Sequence, residues 1–221
     1  QGMYDSTLIL WSSDNGGPSD HGNNFPLRGH KGTDFEGGVR VAAFISGGWL
    51  PSPLRATALD GLMHIADLHA TFVVLGGGTA ADATADDRAD KAGLPPVDSL
   101  DMSGLFRGSN ATSPRTVLPL RTLGDSATSP SDQQGGVIGT YGGALWKLVT
   151  GSQGGYYTSI YYPNGTKPAE LPPCGLPGCL FNLTADPTEH DDLSNSSRPE
   201  VQRIFILLQS ELDAAGRSYF Q

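Results

Sequence analysis

The 221-residue sequence predicts an α/β chain with two differently patterned halves. Three observations carry this. Thr7–Trp11 and Val41–Ser46 are short apolar runs without alternation, the pattern of strands buried in a parallel sheet. From Val117 onward, short β-branched and aromatic runs alternate with Gly and Ser clusters, as in a small antiparallel sheet. From Pro199, the residues Val201, Ile204, Phe205, Leu208 and Leu212 share one face of an amphipathic helix. Residues 1–115 therefore read as part of an α/β domain, and 116–221 as an α+β subdomain of antiparallel sheet and helix.

Taken in order, the first apolar run stops at Ser12-Ser13-Asp14-Asn15-Gly16-Gly17. Ligands of open α/β sheets sit just beyond the carboxyl ends of strands, so Asp14 and Asn15 stand where a site would be. Gly16 and Gly17 let the backbone turn sharply and approach a ligand closely. Asp14 offers a carboxylate and Asn15 an amide carbonyl, hard oxygen donors that suit calcium or magnesium. Calcium takes about 6–8 oxygens, so other segments, substrate or water must supply the rest. The same four residues also favour a plain turn. Val41–Ser46 is expected as a second strand of the same sheet. Asp67 is expected to cap a helix reaching about Leu75, ended by Gly76-Gly77-Gly78. Residues 79–93 are rich in Ala, Asp and Thr with a thin apolar face, and read as an exposed insertion or linker. Their aspartates lack the Gly and terminal Glu of an EF-hand loop. A short helix is expected from about Asp98 to Phe106. Strands are expected at Val117–Leu123, Val137–Tyr141, Trp146–Val149 and Tyr156–Tyr162.

Composition narrows the function. The net charge is −9 and there is no basic run, which argues against phosphate-backbone binding of nucleic acid. No apolar stretch approaches the ~20 residues of a membrane span. No signal peptide opens the chain, and Gln1–Ser6 lead straight into a strand without an earlier partner, so the chain is expected to be the carboxy-terminal part of a longer protein. Cys174 and Cys179, in Cys-Gly-Leu-Pro-Gly-Cys, can close a small disulfide loop. A metal-binding thiol pair is the weaker reading, since no His ligands lie nearby. Sequons at Asn110, Asn164, Asn182 and Asn195 join the disulfide in pointing to the secretory pathway, lysosomal or extracellular.

Several spaced elements resemble the type I sulfatases, most of all the arylsulfatase B group. They are Ser13-Asp14-Asn15-Gly16-Gly17, then Asn23-Asn24-Phe25-Pro26-Leu27-Arg28-Gly29, Lys31-Gly32-Thr33 and Glu36-Gly37-Gly38-Val39-Arg40. His64-Ile65-Ala66-Asp67, Trp146-Lys147-Leu148 and Leu180–Glu189 (with Asn182 where the family has Asp) continue the resemblance. It implies an alkaline-phosphatase-like sulfatase fold, with Asp14 and Asn15 as Ca2+ ligands and Lys31 as the catalytic lysine that binds the sulfate group. From its place in the loop His30 is a candidate substrate contact, with His21 a comparable one, and each has a plain exposed histidine as the competing reading. Phe25 is expected to pack under the loop, Glu36 and Arg40 to hold the turn as an ion pair, and His64 and Asp67 to be structural, His64 buried. The family's nucleophile is a formylglycine made from a cysteine in Cys-x-Pro-x-Arg. Neither Cys174 nor Cys179 fits that element. The resemblance thus implies a calcium-dependent sulfate ester hydrolase acting on a sulfate ester, a sulfated polysaccharide among the options, with this stretch inactive by itself. Two alternatives stand beside it. One is a secreted glycoprotein that binds calcium and sulfated glycans without cleaving them. The other is a phosphatase or phosphodiesterase of the same superfamily, against which Asp14-Asn15 with Lys31 argues.

Overall fold

The computed structural model describes residues 2–110, 112–121, 134–153 and 172–219. They fall into two compact units: Gln1–Trp11 with Ala43–Leu118, and Ser12–Ala42 with Pro119–Gln221.

In the first unit, β1 (Ile9–Ser12) and β2 (Ala43–Ser46) form a two-stranded sheet. The Ser13 N–H donates to the Ala42 carbonyl at 3.0 Å, and Trp49 N–H to the Thr7 carbonyl at 3.3 Å. Bonds at opposite ends of the pair make it antiparallel. Leu8, Leu10 and Ile45 pack on a core of Met102, Leu105 and Phe106, joined by Trp49, Met63, Leu68 and Leu100. Ile9, Trp11 and Phe44 face outward and are exposed, with Trp11 stacked on Phe44 at 5.6 Å between ring centroids. The unalternating run had suggested a strand buried on both faces of a parallel sheet. Among the described residues of this unit, one face of the pair has a layer packed on it.

Helix α1 (Glu36–Val39) belongs to the other unit; here the next helix is α2 (Asp67–Leu75). The Asp67 carboxylate is buried and does more than cap. It accepts N–H bonds from His64 (2.8 Å) and Leu100 (3.0 Å) and a bidentate pair from Arg115 at 2.8 and 2.5 Å. Burial pushes its pKa up, but the Arg115 guanidinium and the two N–H groups outweigh this and hold it below the usual range. Ser99 and Thr71 extend the network: the Ser99 hydroxyl accepts from Ala70 N–H, and the Thr71 hydroxyl from Met102 N–H. Thus α2 is stitched to the 98–103 segment through satisfied polar groups. Asp67 is structural, as expected. His64 is exposed rather than buried: its backbone N–H serves Asp67 and its ring accepts weakly from Ala66 N–H at 3.4 Å.

The stretch read as a linker is helical. Thr79 and Asp82 form a reciprocal capping box on α3 (Ala80–Thr84), and the Asp86 side chain caps α4 (Asp87–Ala92). Ala83 is buried, which anchors the pair. Helix α5 (Ser103–Arg107) follows, ended by Gly108 at φ +71°.

In the second unit, β3 (Val117–Arg121), β4 (Gly135–Tyr141), β5 (Ala144–Thr150) and β6 (Cys179–Asn182) form a sheet in that order. β4 and β5 pair antiparallel through a tight turn at Gly142-Gly143, both at positive φ, and β5 and β6 are also antiparallel. The amphipathic helix α6 (Pro199–Tyr219) buries Val201, Phe205, Leu208 and Leu212 against this sheet. Gly139 leaves room there: a Cβ at that position would come within 3.0 Å of the Leu208 side chain. The expected strand at Tyr156–Tyr162 lies outside the described residues. Cys174 and Cys179 form a disulfide. Asn110 and Asn195 are exposed, while Asn182 is half-buried and its Oδ1 accepts from Thr184 and Ala185 N–H. Asn164 lies outside the described residues.

Candidate functional site

The site residues sit on a cluster of loops in the second unit, held together backbone to backbone. After β1 the chain turns at Ser13, whose hydroxyl donates to the Asn15 carbonyl at 2.8 Å. One Asp14 oxygen accepts the Asn15 N–H at 2.9 Å. The Asn15 amide nitrogen donates to the Gly16 carbonyl at 2.8 Å, which fixes the amide with its carbonyl oxygen as the group left to bind something else. Gly16 N–H then donates to the Gly38 carbonyl (2.9 Å), Lys31 N–H to the Gly17 carbonyl (3.1 Å), and Gly37 N–H to the Arg28 carbonyl (2.6 Å). Asn24 clamps Gly17 on both sides, accepting from its N–H at 2.7 Å and donating to its carbonyl at 2.9 Å.

This interlock explains the glycines. A Cβ on Gly16 would stand 1.7 Å from the Gly37 carbonyl oxygen, and one on Gly38 would stand 2.2 Å from the Thr33 carbonyl oxygen. Only backbone without side chains can approach so closely. Asp14-Asn15 and Lys31, well apart in sequence, are thereby fixed in one loop cluster. Asp14 and Lys31 are exposed, and Asn15 and His30 half-buried. The His30 Nδ1 lies 2.8 Å from the Lys31 carbonyl oxygen, so its ring braces the turn that presents Lys31. His21 is exposed beside Asp20 at 2.9 Å. Phe25 was expected to pack under the loop but is exposed.

The donor set tests what ion would suit this place. Asp14 and Asn15 offer oxygens only, which fits a hard cation such as calcium but fills part of its shell. Among the described residues there is no group of three or more His, Cys, Asp or Glu side chains placed to hold a metal ion.

Beneath the loops lies a charged layer that sequence reasoning missed. Arg28 is buried with its guanidinium 4.0 Å above the Phe35 ring, and it donates to the Glu189 and Pro172 carbonyls, each at 3.1 Å. Asp34 is held by Gln153 through two bonds, Asp34 N–H to Oε1 at 2.6 Å and Nε2 to Oδ2 at 2.7 Å, and Arg121 lies 3.4 Å away. Lys147 on β5 is fully buried and donates to Glu36 at 2.7 Å and Glu189 at 2.9 Å. The other Glu189 oxygen accepts the Glu36 N–H at 2.7 Å. Burial, the largest influence, raises the Glu189 pKa to about 7; Lys147 pulls it down and Glu36 pushes it up. Burial lowers that of Lys147, but the two carboxylates outweigh this and hold it above its ordinary value. The Glu36–Arg40 pair expected from sequence exists only at 3.7 Å with Arg40 largely exposed; Lys147 is the main partner of Glu36. The residue types were visible in the sequence, but their partners lie more than 40 positions away, beyond any spacing rule.

No protein-family model matches the chain. It is 31% identical over 223 residues to arylsulfatase J of Mus musculus, a match covering 92% of this chain and 34% of that protein. It is 36% identical over 78 residues to a sulfatase of Formosa agariphila, covering 34% of this chain and 14% of that protein. The crystal structure of Ps i-CgsB matches 98% of this chain and 39% of its own at a TM-score of 0.60 and 21% identity. A structure designated BT33336S-sulf, from work on the metabolism of multiple glycosaminoglycans by Bacteroides thetaiotaomicron, matches 97% of this chain and 40% of its own at a TM-score of 0.61 and 19% identity. These two show a shared fold. The chain spans about a third of the length of the arylsulfatase it matches. Along nearly its whole length, the chain is similar to an arylsulfatase and shares the fold of these two structures.

Proposed function

We propose that this chain carries part of the active site of a calcium-dependent sulfate ester hydrolase. The observation behind this reading is the backbone interlock of Gly16 with Gly38 and of Lys31 with Gly17, which holds two oxygen ligands and one ammonium on a single loop cluster. Lys31 binds the sulfate oxygens as a compact point charge and stabilises charge on the leaving oxygen. The Asp14 carboxylate and the Asn15 carbonyl oxygen hold part of the shell of Ca2+. When bound, such a cation neutralises developing charge and orients the ester. His30 fixes the Lys31 turn. Both cysteines of the chain are spent in the disulfide, so the nucleophile is supplied from outside these 221 residues, and the segment alone does not turn over.

The disulfide and the exposed sequons at Asn110 and Asn195 support a secreted or lysosomal glycoprotein. Among the described residues no helix is long and apolar enough to cross a membrane. The absence of a free cysteine also favours one other reading, a secreted glycoprotein that binds calcium and sulfated glycans without cleaving them. Chelation separates the two. In the full-length protein, removing calcium should abolish aryl sulfate hydrolysis, and returning it should restore the rate. Asp14→Ala should raise the calcium needed for half-activity by at least about 10-fold. Hydrolysis that survives chelation rules out the calcium role; a complete protein that binds sulfated glycan but never hydrolyses supports the second reading.

A further inference from the structure

We propose that Lys147 is a positioning residue for the Lys31 loop, fastening residues 28–40 to strand β5 by neutralising Glu36 and Glu189. This rests on the reading of Lys31 as the sulfate-binding lysine.

Lys147 lies in the middle of β5, opposite Ile138 on β4 and Phe181 on β6. A fully buried ammonium in a sheet is costly unless paired. Here it is paired twice, and both partners lead to the loop. Glu36 opens α1, the turn whose Gly37 and Gly38 lock onto Arg28 and Gly16. Glu189 holds the same turn through the Glu36 N–H and, by its own carbonyl, Arg28. Glu189 takes a backbone φ of +58°, an uncommon conformation for a non-glycine residue. Two carboxylates and one backbone turn therefore converge on one nitrogen atom. From there the connection to Lys31 is short: Gly38 bonds Gly16, and Gly17 bonds Lys31.

The charge count adds a testable feature. The groups facing Glu189 are Lys147 from β5 and Glu36 from α1; Arg40 faces the second oxygen of Glu36, and Arg28 bonds the Glu189 carbonyl. Asp186 and His190 flank Glu189 on its own turn. Burial above all, with the Glu36 carboxylate adding to it, raises the Glu189 pKa to about 7, so the folded turn takes up a proton there and is favoured in acid.

The test uses the full-length protein and two readouts, backbone hydrogen exchange and affinity for inorganic sulfate. Lys147→Met should speed exchange of residues 34–40 by about 100-fold, because it leaves two buried carboxylates without their shared ammonium. Strands β4 and β5 should keep their protection, and sulfate affinity should fall at least about 10-fold. Glu189→Gln keeps an oxygen for the Glu36 N–H and removes the titrating carboxyl. It should retain both loop protection and affinity, and should abolish the difference in loop protection between pH 5.5 and 8.5, values chosen to bracket the shifted Glu189. The proposal is overturned if Lys147→Met leaves residues 34–40 as protected as in the parent. It is equally overturned if β4 and β5 open to the same extent, or if the loop opens without loss of affinity. Lys31→Ala separates the two readings: unchanged sulfate affinity there defeats the Lys31 assignment, while the exchange contrast still decides the anchoring.

Discussion

Gly16→Ala is the smallest change that should dismantle the site. The added Cβ would sit 1.7 Å from the Gly37 carbonyl oxygen, 2.7 Å from its carbon and 3.0 Å from the Gly38 Cα. All three atoms are backbone, so no side chain can swing aside. One of the two loops must retreat by more than about 1 Å, an over-packing strain worth about 1–3 kcal/mol. The retreat also breaks the bond from Gly16 N–H to the Gly38 carbonyl, worth a further ~1 kcal/mol. Together these come to about 3 kcal/mol, or a melting temperature lower by roughly 6–12 °C for a chain of this size. The assay is thermal unfolding beside inorganic sulfate titration, since Asp14-Asn15 should move relative to Lys31. Unchanged melting and unchanged sulfate affinity in Gly16→Ala would refute the interlock as the basis of the site.

Other consequences follow from particular contacts. Arg115→Met leaves the Asp67 carboxylate buried without its guanidinium and should cost about 3–5 kcal/mol, read by urea denaturation. Glu189 has a folded pKa raised to about 7 from 4.5, so the folded chain binds its proton more tightly; the resulting stabilisation is complete below about pH 4.5 and is lost as pH rises through 7. The unfolding free energy from urea titration should fall between pH 5 and 8, by up to about 3 kcal/mol, and this slope should flatten in Glu189→Gln. Thr79→Ala removes half of the α3 capping box and should cost about 1 kcal/mol, seen as faster exchange confined to residues 80–84.

The pattern of the carboxy-terminal half was open to sequence reading because its signals are local. The helix face of Val201, Phe205, Leu208 and Leu212 and the Gly-Gly turn between β4 and β5 each need only a few neighbouring residues to be recognised. Helices α3 and α4 were missed although Thr79-x-x-Asp82 is a capping signature, because a thin apolar face outweighed a cap. The apolar runs of β1 and β2 were read as strands and form them; Leu8, Leu10 and Ile45 pack on the Met102, Leu105 and Phe106 core, while Trp11 stacks on Phe44 on the other face. Asp14, Asn15 and Lys31 were picked out as motif residues, and the structure sets them on one loop cluster. What supports them was not picked out. Lys147, Glu189, Arg28 and Asp34 are charged residues in a core, where periodicity predicts apolar ones, and their reason for being buried is a partner far along the chain.

Under the proposed function, Lys31 works together with Asp14 and Asn15 in handling the sulfate group. The most direct measurement is kcat/KM for an aryl sulfate in the full-length protein with and without Lys31→Ala, at saturating calcium. Lys31→Ala should lower it by about 10²–10³-fold, the size expected for removing one stabilising group from the transition state, with the melting temperature unchanged because Lys31 is exposed. Hydrolysis at the parent rate in Lys31→Ala would contradict this reading.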